Sequence, residues 1–197
     1  MTITAEQVRM LREMTGAGMM ECKKALQKVD GDIEKAKEEL RVQGLVLADK
    51  KTGRSTNQGL VYAYIHPGDQ VGVLVEINCE TDFVARTDDF KNFCKEIAMH
   101  IAAAHPIAIS REDIPPEIVA KEREIYREQA KESGKPEKIW DKMIDGRMEK
   151  YYREACLLEQ GHIRNPEITI NDLLKALIAK LGENTVIHQF AHFRVGE

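Results

Sequence analysis

Apolar positions in the first 44 residues recur at helical spacing in three short bursts. Thr4-Ala5-Glu6-Gln7 opens the first with a capping-box pattern, the Thr4 hydroxyl accepting from the third helical amide while Gln7 reaches back, and the helix is expected to run to about Met14. TGAG, residues 15 to 18, makes a tight glycine turn into a second helix. On it Met19, Cys22, Leu26 and Val29 fall at the +3, +4, +3 spacing of one buried stripe, with Met20 and Lys23 beside it. After DGD at 30 to 32, with Asp32 as the cap, Ile33, Ala36 and Leu40 mark a third helix that Gly44 should end. Residues 1–44 therefore read as a small three-helix recognition module.

The stretch DKKTGRSTNQG, 49 to 59, carries no apolar residue, so a linker is expected over 45–58. LVYAYI at 60 to 65 and VGVLVEI at 71 to 77 follow as strands joined by a turn at HPGDQ, and Val71, Val73, Val75 and Ile77 share one face at period two. Thr87 caps a helix with Asp88 and Asp89 in its first turn and Phe90, Phe93, Cys94, Ile97 and Ile101 on its core face, stopping before Pro106. Residues 117 to 159 are highly charged and break once, at SGKP (133 to 136), which predicts two antiparallel helices. Trp140, Ile144, Met148, Tyr151 and Ala155 keep a 3/4 spacing facing Ile118 and Ile125, as in a short coiled coil. A helix capped at Asn171, with Leu174, Leu177, Ile178 and Leu181 inside and Gly182 as its stop, leads to a last strand, VIHQFAHFRV. That strand completes a three-stranded antiparallel sheet. The expected class is α+β: a module at 1–44, a linker at 45–58, a core from 59–110 and 160–197, and a coiled-coil hairpin at 111–159 inserted in the core.

Composition narrows the partners. In 197 residues, 29 Lys and Arg face 33 Asp and Glu for a formal net charge of −4, which argues against life on phosphate backbones and for protein partners. Cys22, Cys79, Cys94 and Cys156 are scattered, three of them on apolar faces, which suits free thiols in a reducing compartment. No stretch reaches the ~18 apolar residues of a membrane span, and the expected location is cytoplasmic.

Chemistry is sparse. Neither TGAG nor KKTGRST has the spacing of a phosphate-wrapping P-loop. His188 and His192 are four apart, but four residues of strand span ~13 Å, too far for one ion. No Ser/His/Asp or Cys/His pair is local, and no metal, cofactor or catalytic site is expected. The segment NCETDFVAR, 78 to 86, raises a different question, because Phe83 follows Asp82 where the chain turns toward water. Standing seven residues before Phe90, Phe83 fits the start of the next core stripe. Arg86 and Thr87, however, occupy the intermediate positions, and an aromatic ring on a loop held by rigid elements is also how a contact anchor is presented. Met20 poses the same choice between core filler and contact.

TGAGMMECKKAL at 15 to 26, GDIEKAKEELR at 31 to 41, TDFVAR at 81 to 86, EIAMHIAA at 96 to 103 and GKPEKIWDKMIDGRMEKYY at 134 to 152 together resemble the elongation factor Ts family over nearly the whole chain. The resemblance implies a ubiquitin-associated-like N-terminal module and guanine nucleotide exchange on elongation factor Tu, in its GDP-bound and nucleotide-free states, without covalent catalysis. It implies that Thr81, Asp82, Phe83 and Val84 form a wedge against the partner's magnesium and phosphate site, and that Met19, Met20, Lys23 and Lys51 touch its GTPase domain. In long family members the core is duplicated and a second hairpin carries a contacting histidine; YIHPGDQVGVLV at 64 to 75 resembles it, making His66 the equivalent. With one core copy here, the resemblance implies a homodimer in a two-plus-two complex. An adaptor that binds proteins without exchange activity is the competing expectation.

Overall fold

The computed structural model describes residues 3–196. It begins with three helices, α1 (Ala5–Thr15), α2 (Met19–Lys28) and α3 (Ile33–Asp49). The capping box forms as the sequence predicts, with the Gln7 amide 3.2 Å from Thr4 Oγ1 and the Thr4 amide 3.0 Å from Gln7 Oε1. Asp32 caps α3 through the Lys35 amide at 3.0 Å. Val8, Leu11, Cys22, Ala25, Leu26, Ala36 and Leu40 close one apolar cluster.

Two expectations for this region fail. Met19 leaves the buried stripe of α2 and is 44% exposed, as the first residue of the helix. Gly44 does not stop α3, which continues to Asp49. A Cβ on Gly44 would meet the Ala179 Cβ at 3.2 Å, so this glycine allows close helix packing and does not act as a C-cap.

Strands β1 (Gln58–Ile65) and β2 (Val71–Cys79) form the predicted hairpin, with the His66 amide 2.9 Å from the Val71 carbonyl. A single helical turn, α4 (Asp82–Ala85), precedes α5 (Asp88–Ala104), whose Phe90, Phe93, Cys94, Ile97 and Ile101 are buried as their spacing predicts. Helices α6 (Pro116–Glu132) and α7 (Trp140–Ala155) pack as an antiparallel pair. Ile144, Met148 and Ala155 of α7 are buried, while Ile118 and Ile125 of α6 stay more than a third exposed, since two helices alone cannot enclose both stripes. At the root of the pair Arg111 forks onto Glu149 at 2.8 Å, bonds Glu159 and stacks 4.4 Å over the Tyr152 ring. Beyond a small ribbon of β3 (Gly161–His162) and β4 (Asn165–Thr169), helix α8 (Ile170–Leu181) leads into β5 (Thr185–Arg194). The larger sheet has three antiparallel strands in the order β1-β2-β5. The expected cap at Asn171 lies inside α8, whose first amide, Ile170, is satisfied by the Gln160 carbonyl at 3.0 Å.

The chain divides into two compact units. One holds the residues up to Leu60, Ile77–Phe93 and Asp172–Val186; the other holds Val61–Glu76, Cys94–Asn171 and the residues from Ile187 onward.

In the second unit His100 is fully buried. Its Nε2 lies 2.8 Å from Gln160 Oε1, and Gln160 Nε2 donates to the Glu154 carbonyl at 2.6 Å. The amide oxygen can only accept, so His100 Nε2 carries the proton and Nδ1 is left without a partner. Burial pushes the His100 pKa below its ordinary value, the Gln160 bond opposes this, and His162, stacked 6.1 Å away, adds a small further depression. Because the folded protein resists protonation that the unfolded chain accepts, this contribution to stability is complete above the ordinary histidine pKa of about 6.5 and is lost as pH falls below it. Urea titrations of wild type and His100→Gln from pH 8 to pH 5 are expected to show a steeper acid loss in wild type, approaching at most about 1.4 kcal/mol per pH unit of difference between the two.

Candidate functional site

The site grows from the end of β2. Cys79 is fully buried and its thiol donates to the Thr81 carbonyl at 3.1 Å. Thr81 is extended and caps α4, its Oγ1 accepting from the Val84 amide at 3.4 Å. Thr87, as its sequence position predicts, caps α5 through the Phe90 amide at 3.3 Å, and its hydroxyl donates back to the Val84 carbonyl at 2.8 Å. Ala85 points inward and is buried. The four-residue turn is therefore held at both ends by threonine hydroxyls.

Phe83 lies on the outer side of that turn, 80% exposed. The core-stripe reading of its spacing is thus excluded: the stripe of α5 begins at Phe90, and Arg86 and Thr87 interrupt any continuation toward Phe83. Asp82 beside it is half-buried and pairs with Arg86 at 2.9 Å, which leaves the ring next to a neutralised carboxylate.

Sequence reading missed the residue that fastens this turn. Glu183, directly after the left-handed Gly182 that ends α8, accepts from the Thr81 amide at 2.9 Å and from the Thr81 hydroxyl at 2.7 Å. Its neighbour completes the join in the other direction: the Asn184 amide donates to Glu80 at 2.6 Å, and the Asn184 side chain donates to the Arg54 carbonyl at 2.9 Å. No local pattern marks Glu183, since its partner is 102 residues away.

The other predicted contact residues separate by element. Met20, 64% exposed, and Lys23 lie on the outer face of α2 with the exposed Met19. Lys51 is partly buried and its ammonium bonds the Gly182 carbonyl, beside the turn that holds Thr81. His66, in the other unit, is exposed at the β1–β2 turn with Nδ1 3.1 Å from the Tyr64 hydroxyl.

All four cysteines are free and buried; burial pushes the thiols of Cys22, Cys79 and Cys156 upward, Cys156 to about 11, so none of these three carries appreciable thiolate at neutral pH. Among the described residues no three His, Cys, Asp or Glu side chains are grouped to hold a metal ion, and no helix is long and apolar enough to cross a membrane.

What the geometry shows here is an exposed aromatic ring on a turn bonded at both ends, with no grouped metal ligands among the described residues. The family model described as elongation factor Ts matches residues 2–197. Proteins named elongation factor Ts from Thermoanaerobacter sp. (strain X514) and Caldanaerobacter subterraneus subsp. tengcongensis are each 60% identical to the chain over 195 residues, covering 99% of it and 96% and 98% of their own lengths. That of Desulfosudis oleivorans is 53% identical over 196 residues, with 100% and 99% covered. The chain belongs to the elongation factor Ts family, whose members are nucleotide exchange factors of translation elongation.

If Phe83 serves contact and not the core, Phe83→Ala should change unfolding free energy by less than about 0.5 kcal/mol, while Phe90→Ala, which empties a fully buried site, should cost about 3–5 kcal/mol; urea denaturation of the two variants checks the contrast.

Proposed function

We propose that this protein accelerates GDP release from elongation factor Tu by pressing the Thr81–Val84 turn into the partner's GTPase domain, where Asp82 and Phe83 disturb the magnesium and phosphate site. The observation that carries the reading is the exposure of Phe83 on a turn fixed at both ends. Exchange is a linkage effect: a factor that binds the nucleotide-free state more tightly weakens nucleotide binding by the same coupling free energy. Burying the ring in the partner supplies part of it, about 2–3 kcal/mol, and Met20 and Lys23 add affinity at a separate face, joined by Met19 and Lys51. The factor engages both GDP-bound and nucleotide-free partner, needs no cofactor, and works in the cytoplasm away from nucleic acid and membranes.

The accompanying domain reading takes the three N-terminal helices, expected over 1–44 and carried by α3 to Asp49, as a ubiquitin-associated-like module, and 111–159 as a coiled-coil hairpin inserted in the core. It also makes the protein a homodimer. In the second unit Val61, Ile65, Leu74, Phe193 and Val195 are exposed, and Ile65, Leu74, Phe193 and Val195 line a groove of about 490 Å³. Contiguous apolar surface of this kind favours a cover, and a second copy related by a two-fold axis supplies one. His66 of each protomer then contacts the elongation factor Tu wedged by the other protomer's Phe83.

Release of fluorescent GDP from elongation factor Tu tests the wedge. Phe83→Ala is expected to slow stimulated release by about tenfold or more, equivalent to at least ~1.4 kcal/mol. Binding to elongation factor Tu with no acceleration by the wild-type protein would instead establish the adaptor reading. Light scattering is expected to give about twice the 22.4 kDa chain mass, and a monomer at micromolar concentration with full exchange activity would overturn the two-plus-two arrangement.

A further inference from the structure

We propose that Glu183 is a positioning residue for exchange, fixing the direction in which Phe83 is presented before a partner arrives; this rests on the exchange reading above.

The geometry is specific to a carboxylate. Thr81 offers two donors, its amide and its hydroxyl, and each finds its own oxygen of Glu183, at 2.9 and 2.7 Å. The same hydroxyl accepts from the Val84 amide, so the carboxylate is relayed through one oxygen into the first turn of α4. The Thr81 carbonyl is taken by the Cys79 thiol. Every polar atom of Thr81 is thus engaged, while the Phe83 ring, two residues on, is left to solvent. A glutamine could accept the hydroxyl through its oxygen, but its NH2 would then face the Thr81 N–H, donor against donor.

Glu183 does not stand alone. The turn Gly182–Asn184 also takes the Lys51 ammonium on the Gly182 carbonyl and bonds Glu80 and Arg54 through Asn184. Arg54 pairs in turn with Glu80 at 3.6 Å, and Lys180 of α8 reaches Asp89 of α5 at 2.7 Å. Bonds from the segment after α3 and from the Phe83 loop converge on the end of one helix. A loop fixed in this way meets its partner without an ordering cost, whereas a loose loop engages only through the fraction of molecules that hold the right conformation.

Release of fluorescent GDP from elongation factor Tu, titrated with each variant, tests the role. Glu183→Gln should lower the maximal stimulated rate by about tenfold, the loss of roughly one charge-assisted bond, and should move the half-maximal concentration by less than about threefold, because α2 still binds. In a Phe83→Ala background the same substitution should add nothing to the loss of rate, which a general loss of structure would not reproduce. Thr81→Val, which removes the hydroxyl that donates to Glu183 and with it the acceptor of the Val84 amide, carries the test should Glu183→Gln fail to fold; it too should slow the maximal rate with Phe83 present and not with Phe83 absent. An unchanged maximal rate in the folded variants, or equal losses in both backgrounds, overturns the positioning role. If Phe83→Ala alone leaves GDP release unchanged, the exchange reading fails first.

Discussion

A carboxylate that satisfies both donors of one threonine is the constraint on which the exposed turn after β2 depends. Without Glu183 the Thr81 amide and hydroxyl would be partly buried donors lacking a partner, a state that costs free energy and would draw the loop into another conformation. With it, the chain leaving β2 has one path: Thr81 caps, Ala85 turns in, and Phe83 has nowhere to go but outward.

An exposed phenylalanine contributes little to folding, so the turn that carries it must be held by something other than burial of its ring. The protein does this with polar bonds of short range at one end, Thr87 to Val84 and Phe90, and of long range at the other. Unreactive cysteines fit the same economy, because a thiol that donates to a carbonyl from a fully buried position serves as a small structural donor. The N-terminal helices follow a different rule. Their cluster around Leu11 and Leu26 is complete without Met19 or Met20, which leaves those flexible thioethers available to another surface.

What could be read from the sequence follows range. Caps at Thr4, Asp32 and Thr87 were legible because donor and acceptor lie within three residues, and the stripes of α5 and α8 because each repeats over several turns. Gly44 was misread because a glycine that ends a helix and one that admits a neighbour look alike until the neighbour, Ala179, is in place. Met19 and Asn171 were misread at helix ends, where spacing carries least information. Phe83 remained ambiguous because seven residues is a helical spacing whether or not the helix is continuous. Glu183 had no local signal: its meaning is set by a residue far away in the chain.

That separation also orders events in time. The latch joins positions 102 residues apart, so closing it must await the synthesis and docking of α8. A nascent chain that has emerged only as far as α5 already contains Thr81 to Val84, yet lacks the carboxylate that orients them. The apolar cluster of the N-terminal helices, built from neighbours in sequence, can close early; the join between Thr81 and Glu183 closes late. On the exchange reading proposed above, competence to act on a partner then trails the ability to touch one, and the turn before β5 sets when that competence arrives.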